Sequence, residues 1–345
     1  IGQYAGERTG QFRNPTDNIF MGRNAGRYVQ GGANLFFGYY AGQGSSANAQ
    51  SPGTSNIGLG YQSSVSFISG SYNVAIGGNT LYNNQNGEYI VAIGQSAGDH
   101  ATGSYNTFVG GKAGMGGTTS APYSSGQNNT ALGYEALKGF TTGHTNIAIG
   151  YQALQLATTT HDSIAIGYQA LQYGGQDNNI GIGYQAGQTI STARYNVLIG
   201  DFAGQYLTTS SENNENIMIG NAAGRFADAA TNAAHYNVYI GSGAGTYMDD
   251  GDSNVYIGRE AGKGSGTGNN ATQNILIGYQ SGYNISTADS SVGVGYNSLR
   301  ALTSGGSNTA IGNQAGYSLT TPVENTAVGQ AALFYNETGN YNVAI

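Results

Sequence analysis

A short motif, Asn–apolar–x–apolar–Gly, returns along the whole chain, and its spacing limits the fold more than any other feature. Its glycine falls at nineteen positions from Gly2 to Gly329, among them Gly22, Gly38, Gly150, Gly200 and Gly258. Nine of the eighteen intervals are 17 residues, three are 16, and the others run from 20 to 23. A sharp minimum with a variable excess indicates a core unit of 16–17 residues that accepts loop insertions. Such a unit is too short for a strand and a helix, but it suits one coil of a parallel β-solenoid. Residues 1–345 are therefore expected to form a single all-β repeat array (a β-roll) of about nineteen coils.

Asn146, Ile147, Ile149, Gly150 and Ala153 carry the pattern in one unit, and Asn196, Ile199, Gly200 and Ala203 carry it in another. Alternate side chains of a strand point to opposite faces, so the two apolar residues flanking the strand centre share a side. That side is read as the coil interior, which also places Thr107, Thr130, Thr309 and Thr326 inward. The glycine permits a bend. The small residue three places on is read as lining a second short strand, the position after it is nearly always Gly or Leu, and turns such as Thr141-Thr142-Gly143 close the coil. Asparagine precedes the strand in sixteen of nineteen coils, Ile90, Ser163 and Ser291 being the exceptions. Two explanations fit: an amide ladder between coils about 4.8 Å apart, or a side chain suited to left-handed turn backbone.

On this reading the central strand residue points outward, yet it is apolar or small: Phe20, Phe36, Phe108, Ala148, Ala165, Leu198, Tyr239 and Tyr256 are examples. An open stripe of that length exceeds the few hundred Å² that monomers tolerate. The expected cover is the same stripe on identical chains around a parallel axis, giving a homo-oligomer and most simply a homotrimer.

Other partners are disfavoured by composition. The net charge of -7 is spread without basic blocks, which argues against nucleic acid. There is no cysteine for disulfides or thiolate ligands. No apolar run reaches the ~18 residues of a membrane span. Chemistry-bearing clusters are few, so no catalytic residue and no cofactor are assigned. His100, His144, His161 and His235 fall in connecting segments and read as solvent-facing. Asp249, Asp250 and Asp252 are the one acidic cluster that could hold calcium, but the rest of a calcium loop is missing and a solvated turn fits better. The Gly-rich runs 241–245 and 264–268 precede no helix that could bind a phosphate. Tyrosines directly after the anchoring glycine, such as Tyr39, Tyr61, Tyr151 and Tyr168, either stack between coils or offer ring faces to a ligand. The insertions at 43–55, 114–127 and 226–236 are the expected places for variable recognition.

The run Asn-Ile-Ala-Ile-Gly-Tyr-Gln-Ala-Leu at 146–154 and its relatives resemble the head repeats of trimeric autotransporter adhesins. They are still more similar to the Asn-Thr-Ala-Ile-Gly-Tyr-Gln-Ala-Gly arrays of phage tail-fibre and surface proteins. The resemblance covers the whole chain and implies a trimer of β-solenoids in an extracellular attachment fibre, on a virion or a bacterial surface. A surface glycan or protein receptor is the implied external partner. Adhesin heads have shorter and more uniform coils than this chain. Because the next anchoring glycine would fall at position 346, the sequence is expected to be a segment of a longer fibre. A polysaccharide-degrading β-helix is the rival enzyme reading, and it would need carboxylates or bases gathered on neighbouring coils. An ice-binding solenoid would need an outward threonine array.

Overall fold

The structure, a computed structural model, describes residues 2–7, 16–44, 51–66, 68–120, 122–207, 215–225, 234–266 and 268–345. It is an all-β parallel β-solenoid, with no helix among the described residues. Contacts divide the chain into two units, Ile1–Gly174 and Gly175–Ile345. The first holds β1 (Ile19–Met21), β2 (Leu35–Phe37), β3 (Ile57–Leu59), β4 (Val74–Ile76), β5 (Val91–Ile93), β6 (Thr107–Val109), β7 (Thr130–Leu132), β8 (Ile147–Ile149) and β9 (Ile164–Ile166). The second holds β10 (Ile180–Ile182), β11 (Val197–Ile199), β12 (Ile217–Ile219), β13 (Val238–Ile240), β14 (Val255–Ile257), β15 (Ile275–Ile277), β16 (Val292–Val294), β17 (Thr309–Ile311), β18 (Thr326–Val328) and β19 (Val343–Ala344). Within each unit successive strands pair in parallel and in the register of the repeat: Ile147, Ala148 and Ile149 face Ile164, Ala165 and Ile166, and Tyr256 faces Leu276.

The bend after each strand requires glycine for two reasons. Gly150 has φ +128, and a Cβ there would strike the backbone carbonyl of Gly167 in the next coil. The segment after the bend corrects the expected second strand. Gln152 and Leu154 have φ 56 and 50, so the chain runs through successive turns in which every other residue is left-handed. Its amides still bond between coils, as in Leu154 N–H to Ala170 O at 3.1 Å and Leu156 N–H to Gln172 O at 2.8 Å.

The facing of the strand is the main correction. Phe36, Phe108, Ala148, Ala165, Leu198, Tyr239 and Tyr256 are all fully buried within the chain's own coils. Phe20 is half-buried against the cluster of Val29, Phe36 and Ala41. These eight residues are therefore core and not an oligomer face. The flanking residues Ile147, Ile149 and Ile199 point outward, as do the four threonines, of which Thr107 is exposed and Thr130, Thr309 and Thr326 half-buried. The reason is room. A coil of about 17 residues encloses a space only one side chain wide, so the opposite wall admits the single central residue but not two branched neighbours.

That limit is enforced coil by coil. Where the central residue is large (Phe20, Phe36, Phe108, Leu198, Met218, Tyr239, Tyr256, Leu276), the residue six places on is Gly26, Gly42, Gly114, Gly204, Gly224, Gly245, Gly262 or Gly282. A Cβ at each of these glycines would run into that same large side chain. Where the centre is Ala75, Ala131, Ala148, Ala165, Gly293 or Ala327, the partner is Leu81, Leu137, Leu154, Leu171, Leu299 or Leu333. Four more coils, apart from the one that begins at β19, borrow volume. Gly58 lies beside Phe36, Gly98 beside Leu81 and Phe108, Gly316 beside Leu319 and Leu299, and the coil of Gly181 and Gly187 buries Ile190. Each filled position contributes about 1.5–3 kcal/mol.

Candidate functional site

An asparagine ladder runs beside the strands in both units; in the first it is broken at Ile90, whose N–H donates to Asn73 Oδ1 at 2.9 Å but whose side chain offers no acceptor to the next coil. In the second unit Asn196 Nδ2 donates to Asn179 Oδ1 at 3.0 Å, and Asn196 Oδ1 accepts both the main-chain N–H and the Nδ2 of Asn216 at 3.1 Å. In the first, Asn146 Nδ2 donates to Asn129 Oδ1 at 3.1 Å and to Thr160 O at 2.6 Å. The left-handed residue is the one before the asparagine, as with Thr145 (φ 59) and Tyr195 (φ 59), so turn tolerance does not explain the asparagine itself. Ser163 and Ser291 keep the chain of bonds, accepting their place by donating N–H to Asn146 Oδ1 at 3.1 Å and Asn274 Oδ1 at 2.9 Å. These residues hold coils together and carry no chemistry.

The outward face of the strands is apolar along both units. Two columns of Ile, Val, Leu and Thr flank the buried centre, with Ile19 58%, Met21 49%, Leu132 46% and Ile311 43% exposed. Tyrosines border them. Tyr134, Tyr151 and Tyr168 stack with centroids 5.7 and 5.1 Å apart, and Tyr72, Tyr89 and Tyr105 form a second stack at 4.8 and 5.5 Å. Stacking covers both faces of the central ring in each trio, so these columns present ring edges and hydroxyls instead of open faces for a sugar.

A polar column follows the tyrosines. Gln169 donates to Gln152 at 2.9 Å, Gln172 to Gln155 at 2.9 Å, and Gln152 and Gln155 to Glu135 at 3.0 and 2.6 Å. Lys138 and Lys112 approach the same carboxylate at 3.0 and 3.4 Å. Burial alone would raise the Glu135 pKa, but the donors Gln152, Lys138 and Lys112 outweigh it and bring it down to about 2. Glu260 is likewise lowered, first by the Gln280 hydrogen bond at 2.8 Å and then by Lys263 at 3.0 Å. Carboxylates held ionised and saturated with donors brace the coils and are not poised to exchange protons near neutral pH. Burial pushes the Tyr239 and Tyr256 hydroxyls upward, and their rings stack 5.0 Å apart inside the second unit.

The acidic trio is pulled apart. Asp249 is buried and its carboxylate accepts the Gly268 N–H, whereas Asp252 accepts the His235 N–H at 2.8 Å. No group of three or more His, Cys, Asp or Glu able to hold a metal exists among the described residues. His144 and His161 stack at 3.9 Å, and His161 Nδ1 accepts the main-chain N–H of His144 at 3.1 Å. The insertion at 114–127 is tied back at Ser124, whose N–H donates to His100 O at 3.0 Å. Much of the expected recognition loops at 43–55 and 226–236 lies outside the described residues, as does Ile1. No helix among the described residues is long and apolar enough to cross a membrane. The chain matches no known protein family, and no curated protein sequence is significantly similar to it.

Proposed function

We propose that the chain is part of an extracellular attachment fibre, of the phage tail-fibre type or its bacterial adhesin counterpart, that works as a homotrimer joined through the outward strand face. One observation carries this reading. The aliphatic columns keep Ile147 exposed and Ile149, Ile164 and Ile166 half-buried at the surface, and the pattern recurs strand after strand, while the coil interior is already full. Because successive coils present apolar or threonine side chains at these positions in one register, a second and third copy laid parallel would bury like against like along each unit. The motif's resemblance to trimeric fibre repeats supports the same arrangement.

Sedimentation at micromolar concentration tests it. A trimeric mass is expected, and Ile147→Asp with Ile164→Asp should yield folded monomers. A wild-type chain that sediments as a monomer sinks the proposal.

A further inference from the structure

We infer that the second unit carries a binding notch for a saccharide bearing a carboxylate, between the coils of Ala222, Gly243 and Glu260. The column two residues after the anchoring glycine is occupied by glutamine at 62, 152, 169, 185, 280 and 314. In two successive coils it shrinks to Ala222 and Gly243. The missing side chains leave a depression of about 230 Å³. That is smaller than the ~300–1,000 Å³ of sites for drug-sized ligands, and it suits one sugar unit.

The lining supplies the chemistry. Arg225, Arg259 and Lys263 surround the notch, which Glu260 also lines. Three cations against one carboxylate leave a local excess of two positive charges in a chain whose net charge is -7. Lys263 is fixed by Glu260 at 3.0 Å, and Arg225 Nε donates to Gln205 Oε1 at 3.0 Å while lying over the Phe202 ring. The floor is rigid as well, since buried Thr246 donates to Gly243 O at 2.7 Å and spans to Ala222 O at 3.3 Å. Guanidinium and ammonium groups recognise a carboxylate. Asn221 and Ser242 add the neutral hydrogen-bonding groups that sugar hydroxyls require. A bare inorganic anion would leave these unused.

This inference adds a ligand class to the attachment reading and rests on it only for biological meaning. Every lining residue belongs to one chain, so binding can be scored whether or not the chain trimerises. The test is a calorimetric or NMR titration of the full chain with glucuronate and N-acetylneuraminate, against glucose and sulfate, with sedimentation run on the same samples. At least one acidic sugar should bind about tenfold tighter than glucose and lose affinity with added salt.

Two variants localise the site. Arg259→Gln removes an exposed rim charge, and Gly243→Gln refills the column. The second should fold, because Gln152 and Gln280 occupy the same position with φ 56 and 51, and a Cβ at Gly243 meets Glu260 and Thr246 at 3.4 Å. Each should weaken binding about tenfold. Equal binding of glucose, sulfate binding as tightly as both sugars, no uptake of either acidic sugar up to about 50 mM, or unchanged affinity in Arg259→Gln would each overturn the inference.

Discussion

The coil of β8 and the coil of β14 fill the same space from opposite walls. In the first, Ala148 sits at the strand centre and Leu154 reaches across to it. In the second, Tyr256 projects from the strand and Gly262 stands back, since any Cβ there would enter the tyrosine ring. What the two share is an interior volume, not a residue. Neither wall can be understood alone, and the strand centre is the inside of the coil in both.

The most damaging way to break this equivalence is to charge the centre. Ala148→Asp or Tyr256→Asp should unfold the affected unit, at a cost above about 4 kcal/mol, because a carboxylate would be buried without a partner. Circular dichroism melting would show it, whereas Ile147→Asp in the same strand should still fold, since its side chain stays out of the coil interior. The sharpest test is a swap. Tyr256→Ala should cost about 3–5 kcal/mol through the cavity it leaves, and adding Gly262→Leu should recover more than half of that in chemical denaturation, since Leu154 already adopts φ 50 at the matching position. If the double variant is no more stable than the single one, the walls do not share volume.

Smaller effects should be equal in the two coils. Asn146→Ala and Asn254→Ala each remove ladder bonds, such as Asn254 Nδ2 to Ala271 O at 2.7 Å, and each should cost about 1–3 kcal/mol of unfolding free energy. The pH response should be weakest. Glu135 titrates at about 2 in the folded chain against 4.5 normally, so its contribution is complete above the normal carboxylate range and fades as the pH falls toward 2. Because its partners Lys112 and Lys138 reach solvent and burial opposes its charge, it should account for no more than about 1 kcal/mol. Comparing melts of wild type and Glu135→Gln from pH 6 to 2 should show the gap closing with acid.

The period, the parallel coils and the recurring asparagine were legible in the sequence because stacking repeats them with little variation, although recurrence alone did not separate a ladder from a turn preference. The facing of the strand was not, because alternation assigns Ile147 and Ile149 to one side without saying which side is inside. The deciding signal lay six residues further on. Phe36 with Gly42, Met218 with Gly224 and Tyr256 with Gly262, set against Ala148 with Leu154, show compensation that only residues sharing one cavity would have. The cationic notch could not be read in advance in the same way. Arg225 lies two coils before Arg259 and Lys263, and only the coil register brings the three around the gap at Ala222 and Gly243.

Most coils solve their packing from their own residues, with a large group on one wall matched by a small one on the other. Such a coil can be copied or deleted whole without forcing changes in its neighbours. Copy number is then free to drift in evolution while the cross-section stays constant, and new surface features arise by altering a residue that points away from the shared cavity.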